Sequence, residues 1–122
     1  LPFVPCNIGE INQVVLNLVV NGAHAIRDHY ENGKKGNLND STKHYAKAKC
    51  VVIAINDNGG GIPAKVQNRI FEPFFTTKEV GVGTGQGLAI AHNVIVKSHS
   101  GQIWFDTEEG KGTTFFIKLP LN

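Results

Sequence analysis

Gln13, Asn17, Asn21, His24 and Asp28 recur at spacings of four, four, three and four, which sets them in one stripe along a helix. Val14, Val19 and Val20 lie between them, so the pattern predicts a helix buried on most sides with one narrow polar face turned to a partner or a polar ligand. Asparagine at successive turns lowers helix propensity, and its carboxamide oxygen is a hard donor suited to Mg2+. A plain solvated face is the competing reading of the same stripe. Farther along, Asp57-Asn58-Gly59-Gly60-Gly61 sets a carboxylate before three glycines. Such a carboxylate can accept a hydrogen bond from an exocyclic amine like that of adenine, with the glycines admitting a planar ring and Ile62 packing on its face. A tight turn around an Asx-type Asp57 is the alternative. In the third stretch, Gly81, Gly83, Gly85 and Gly87 precede a helix, where successive N–H groups and the helix dipole favour an anion. A flexible linker has the same composition. The run contains neither the Gly-Lys-[Ser/Thr] of a Walker loop nor the Rossmann spacing.

These stretches need elements to hold them. Pro2 and Pro5 keep residues 1–7 extended, and Asn7 with Glu10 predicts a capped start to a helix from Ile8 to about His29. Ile11, Val14, Val15, Leu18, Val19, Gly22, Ala25 and Ile26 supply its three-and-four periodicity. Residues 30–49 are polar, lysine-rich and broken by glycine, which predicts a long mobile loop. The apolar run 50–55 predicts a buried central strand, and Pro63 suits the first turn of a short helix reaching about Ile70. Another helix is expected from Leu88 to about Ser98, ended by Gly101. Strands at 102–106 and 113–119 form a hairpin, with Thr113, Phe115, Ile117 and Leu119 sharing one face of the second. The order predicts an α/β two-layer sandwich, with helices on one face of a mixed sheet.

Composition narrows the function classes. The chain has 122 residues, enough for one domain with a real core. Hydrophobic residues make up 41% and charged residues 18%, which argues against disorder. A net charge of +2 predicts neither nucleic-acid binding nor direct membrane contact. Cys6 and Cys50 are too few for a disulfide framework and lack zinc-ligand spacing, so a reducing compartment is expected. Seven of the fourteen glycines fall between Gly59 and Gly87, as expected for backbone shaped around a ligand. Leu1 stands where an initiator Met would, so the chain reads as a piece of a longer protein.

Taken together, NQVVLNLVVNGAHAI, NDNGGGIP, FEPFFTTK, GTGQGLAIA and GKGTTFFIKLP resemble the N, G1, F and G2 boxes and last strands of the ATP-binding catalytic domain of bacterial sensor histidine kinases. That family belongs to the wider GHKL group, with gyrase, the mismatch-repair ATPases and the heat-shock chaperone ATPase. The resemblance covers about residues 9–120 and implies a Bergerat-type fold with a mobile ATP lid, the first strand being cut short at Leu1. It implies ATP and Mg2+ as ligands. Asn21 matches the metal ligand, Asn17 the polar position one turn earlier, and His24 a position that is often basic or polar, where a phosphate contact is expected. Asp57 matches the reader of the adenine amine, with Gly59, Gly61 and Ile62 beside the base and Thr113 holding it through water. Phe71, Phe75 and Lys78 match the F box that opens the lid, and Gly83, Gly85, Gly87 and Leu88 the phosphate side. Hydrolysing relatives carry a glutamate where this chain has Asn17, and an amide cannot take a proton from water, so the resemblance implies a kinase. The implied γ-phosphate acceptor is a histidine upstream, on a separate dimerisation domain, and no catalytic residue of its own is expected here. A response regulator would be the next acceptor and the domain cytoplasmic, the parent being membrane-anchored or soluble. A non-catalytic nucleotide-binding module of the same fold is the alternative.

Overall fold

The computed structural model describes residues 7–29, 38–45, 50–72 and 87–120. Helix α1 spans Ile8–His29. As the sequence predicts, Asn7 caps it: its Oδ1 accepts the Glu10 N–H at 3.1 Å and its backbone carbonyl accepts the Ile11 N–H at 3.0 Å. Strands β1 (Leu38–Tyr45), β2 (Cys50–Asp57), β3 (Gln102–Glu108) and β4 (Gly112–Pro120) form one sheet in the order β1-β2-β4-β3. A 3-10 helix covers Ala64–Arg69, preceded by Pro63. Helix α2 (Gly87–His92) runs on into a π-helical stretch, Asn93–Ser98.

Helices cover one face of the sheet. On that face Val14 and Leu18 of α1, Ala91 and Ile95 of the α2 segment, Ile55 of β2 and Phe115, Ile117 and Leu119 of β4 close a continuous core. The alternation expected in β4 is present, with Thr113, Phe115, Ile117 and Leu119 all buried. On the opposite face, Trp104 and Phe116 stack with centroids 5.2 Å apart and planes 14° from parallel.

Several expectations need correction. Residues 38–45 are not loop: they form β1, an edge strand paired with β2 from Leu38↔Asp57 to Tyr45↔Cys50. The sequence LNDSTKHY carries no alternating apolar face, and backbone pairing along one edge of β2 makes it a strand. All three described pairings are antiparallel rather than mixed. Helix α1 is less enclosed than its valines suggest, since Leu16 and Val20 are exposed. The second helix does stop before Gly101, whose N–H returns to the Ile95 carbonyl at 2.8 Å, and the left-handed residue there is Ser100 (φ 54°). The segment at Leu1 where a truncated first strand was expected lies outside the described residues.

Ile117 is fully buried on an inner strand of the sheet, in the core that also holds residues of both helices. Ile117→Ala is therefore expected to lower the unfolding free energy by about 2–5 kcal/mol, read as a drop in urea midpoint at unchanged slope; a change within error would mean that the core does not sit there.

Candidate functional site

At one end of the sheet four residues face the helices in a cross-strand row: Leu38 of β1, Asp57 of β2, Thr113 of β4 and Thr107 of β3. Asp57 is 5% exposed, an unusual place for a carboxylate. Burial pushes its carboxyl above the usual aspartate range, while hydrogen bonds from the backbone N–H groups of Gly59 and Thr113 pull it back. The Gly59 N–H reaches Oδ1 at 2.9 Å. This is the Asx-type turn of the alternative reading, and it is compatible with ligand reading because a carboxylate has further acceptor capacity.

The loop after Asp57 is clamped on both sides. Gly59 lies so close to α1 that a Cβ there would sit 2.7 Å from the Ala25 carbonyl carbon. Gly61 is left-handed (φ 77°), and a Cβ there would meet the Glu108 carbonyl oxygen at 2.4 Å. The hairpin turn then holds the loop through three further contacts: Gly110 N–H to the Gly60 carbonyl at 2.8 Å, Ile62 N–H to Thr107 Oγ1 at 2.9 Å and Ala64 N–H to Glu109 Oε1 at 2.9 Å. Glycine at 59 and 61 is thus demanded by the protein's own backbone. Ile62 packs against the core beside them.

Helix α1 passes over the same end of the sheet. Gly22 is buried there, and a Cβ on it would lie 3.5 Å from Asp57 Oδ2 and 2.6 Å from Leu38 Cδ1. Asn17, Asn21 and His24 are half-buried on the predicted stripe, whereas Gln13 is exposed. Asn17 joins α1 to α2: its Oδ1 accepts from Gln13 Nε2 at 3.0 Å and its Nδ2 makes a long 3.5 Å contact to the Gly87 carbonyl. Leu88, the next residue of α2, is half-buried against the core. Phe71 is anchored among aromatic rings, 5.3 Å from His92 and 6.1 Å from Phe105 between centroids.

The structure therefore gathers Asn17, Asn21, His24, Asp57, Gly59, Gly61, Ile62, Gly87, Leu88 and Thr113 around α1 and the adjoining end of the sheet. Phe75, Lys78, Gly83 and Gly85 lie outside the described residues. Sequence reasoning missed Thr107, whose hydroxyl meets Thr113, Gly112 and Ile62 together, and Glu109, which holds the loop through Ala64. Extending the hairpin register by one pair beyond 106 would have set Thr107 opposite Thr113. Among the described residues no group of three or more His, Cys, Asp or Glu side chains could hold a metal ion.

Known proteins resemble this chain in sequence and in fold. Sensor kinase CckA of Brucella abortus is 45% identical over 128 residues, a match covering 96% of this chain and 13% of that protein. The nucleotide-free catalytic domain of histidine kinase ThkA superposes with a TM-score of 0.76 at 33% identity, covering 94% of this chain and 69% of that one. ThkA in complex with the response regulator protein TrrA matches with a TM-score of 0.69 at 28% identity, over 92% of this chain and 28% of that one. Full-length ShkA in complex with AMPPNP matches with a TM-score of 0.80 at 26% identity, over 98% of this chain and 23% of that one. The chain spans only about an eighth of CckA's length. A family model matches residues 6–122, and this chain belongs to the family of histidine kinase-, DNA gyrase B- and HSP90-like ATPases.

Proposed function

We propose that residues 1–122 are the ATP-binding catalytic domain of a sensor histidine kinase, presenting the γ-phosphate of Mg-ATP to a histidine on a separate dimerisation domain. The observation that carries this reading is the buried Asp57 carboxylate beneath Gly22 of α1, the helix that also carries Asn17 and Asn21. A carboxylate is acceptor-only and matches the 6-amino group of adenine. Glycine at position 22 leaves the Asp57 Oδ2 side of the site without a methyl group. The proposal assigns the phosphates to Gly83, Gly85, Gly87 and Leu88, with a further contact from His24 of the α1 stripe, and gives Phe75 and Lys78 to the lid.

The donor set fits a magnesium ion held chiefly by the nucleotide. With no acidic cluster among the described residues, Asn21 is the one protein ligand proposed, and such an ion keeps its waters and phosphate oxygens. When bound it neutralises phosphate charge. Asn17 cannot act as a general base, and the site works by positioning ATP for an external imidazole, as phosphoryl transfer requires. The phosphate next passes to the aspartate of a response regulator. No helix among the described residues is long and apolar enough to cross a membrane. On the proposed reading the domain works in the cytoplasm, whether or not the parent is anchored.

Calorimetric titration is expected to show ADP and ATP binding, with guanine nucleotides much weaker; equal binding of ADP and GDP would remove the adenine role of Asp57. Labelled ATP mixed with this domain and the dimerisation domain of its own kinase should leave an acid-labile, base-stable label on that partner. Absence of label at every concentration would favour a non-catalytic nucleotide-binding module.

Asn21→Ala should abolish the Mg2+ dependence of ATP affinity; retained dependence would refute the metal role.

Asp57→Asn separates ligand reading from folding. Because burial raises the carboxyl's pKa in the folded state, the native protein binds more protons than the unfolded chain between the ordinary aspartate value and the raised one, and stability falls as pH climbs through that window. The asparagine variant is free of this penalty. It is expected to melt at a higher temperature than the parent chain at neutral pH, with the difference vanishing at acid pH, and to bind ADP more weakly by about 1–3 kcal/mol. A variant that is less stable at neutral pH, or binds ADP equally well, contradicts the assignment.

A further inference from the structure

We propose that Asn58 is a latent deamidation site in the loop after β2, and that the hydrogen bond from the Gly59 N–H to Asp57 Oδ1 holds its conversion back. Asparagine is thermolabile, most of all before glycine, which has no side chain to block approach to its nitrogen. Asn-Gly occurs at 21–22, 32–33 and 58–59. The step is an internal acyl transfer. Gly59 N bonds to Asn58 Cγ, the Cγ–Nδ2 bond breaks, and the Gly59 hydrogen leaves with that nitrogen as ammonia. Solvent then opens the cyclic imide at either carbonyl, giving aspartate or isoaspartate at position 58.

For the step to begin, the Gly59 nitrogen must give up its hydrogen and turn towards Asn58 Cγ. That hydrogen is held by Asp57 Oδ1 at 2.9 Å, in a buried bond. A carboxylate acceptor disfavours loss of the hydrogen, since the nitrogen would become negative beside it. Turning is hindered as well. A Cβ on Gly59 would lie 2.7 Å from the Ala25 carbonyl carbon, and the Gly60 carbonyl is tied to the hairpin by the Gly110 N–H. Asn21-Gly22 lies inside α1, where the helical pattern binds the Gly22 N–H to the carbonyl four residues back. The dipeptide at 32–33 lies outside the described residues. The loop at 58–59 can open by itself, whereas Asn21 converts only when α1 unwinds. Conversion is costly to the site. Isoaspartate adds a backbone carbon just where Gly59 and Gly61 crowd against other backbone, and aspartate sets a second carboxylate next to Asp57. On the adenine reading of Asp57 given above, either product removes ADP binding.

Incubating the full chain in mildly alkaline buffer tests this, with aspartate and isoaspartate at positions 21 and 58 followed by mass spectrometry after digestion. A synthetic peptide of residues 56–62 gives the unprotected rate. Asn58 in the folded chain is expected to convert roughly ten- to a hundredfold more slowly than in the peptide, the equivalent of one hydrogen bond to a charged acceptor. Asn21 should stay intact while Asn58 converts. Equal rates in chain and peptide would overturn the proposal. Asp57→Ala should bring Asn58 towards the peptide's rate, and Asp57→Asn, whose Oδ1 still accepts, should keep most of the protection. Slower conversion in Asp57→Ala than in the unsubstituted chain would make the carboxylate a base for the step and sink the protective role. Should the alanine variant not fold, as judged by thermal unfolding, hydrogen exchange at the Gly59 N–H of the unsubstituted chain decides. Its protection should match the slowing at Asn58, because both need the same opening; a protected amide in a chain that converts at the peptide's rate contradicts the proposal. Converted chains, separated by ion exchange, should no longer bind ADP, and retained binding would remove the consequence for the site. An unconverted chain that fails to bind ADP brings down the adenine reading alone, since the conversion rates are measured without nucleotide.

Discussion

A carboxylate taken out of water at the end of a sheet strand constrains everything around it. Desolvating an ion costs several kcal/mol even after the protein relaxes, so Asp57 stays buried only because donors are brought to it. Two of them are backbone N–H groups, from Gly59 and Thr113, and their positions dictate the local chain path. For the Gly59 N–H to reach Oδ1 at 2.9 Å, the chain must turn immediately after β2, and that turn presses it onto the backbone of Ala25. On its other side the loop is held by the hairpin, through Thr107, Glu109 and Gly110. The hydrogen bonds of one acidic side chain thus extend through the loop to α1 and to the far edge of the sheet.

What the sequence made legible follows the strength of its periodic signals. Helix α1 and its Asn7 cap were readable because the apolar spacing runs over five turns, and β4 because four alternate residues face one core. Strand β1 was not: LNDSTKHY has the composition of a loop, and only pairing with β2 makes it extended. The glycines after Asp57 were read as room for a ligand, yet positions 59 and 61 are fixed by contacts to Ala25 and Glu108 that no local pattern encodes. Asp57 and the asparagine stripe stood out as polar groups in apolar company. Thr107 did not, because a threonine in a strand is unremarkable until its cross-strand partner is known.

Asn17 shows how one side chain serves packing and chemistry at once. Its carboxamide accepts from Gln13 and reaches the Gly87 carbonyl, so it fastens the start of α2, and with it the end of the glycine run, to the helix that carries Asn21. A glutamate at position 17 could not make the second contact, because a carboxylate offers the Gly87 carbonyl no hydrogen. The amide therefore removes a base for activating water and adds a tie between the proposed metal-side and phosphate-side segments. Both consequences point the same way on the proposed reading. With an amide at position 17 in place of a glutamate, a nucleotide bound beside α1 would on that reading keep its last phosphate until a nucleophile arrives from outside, as a domain that phosphorylates a separate histidine requires.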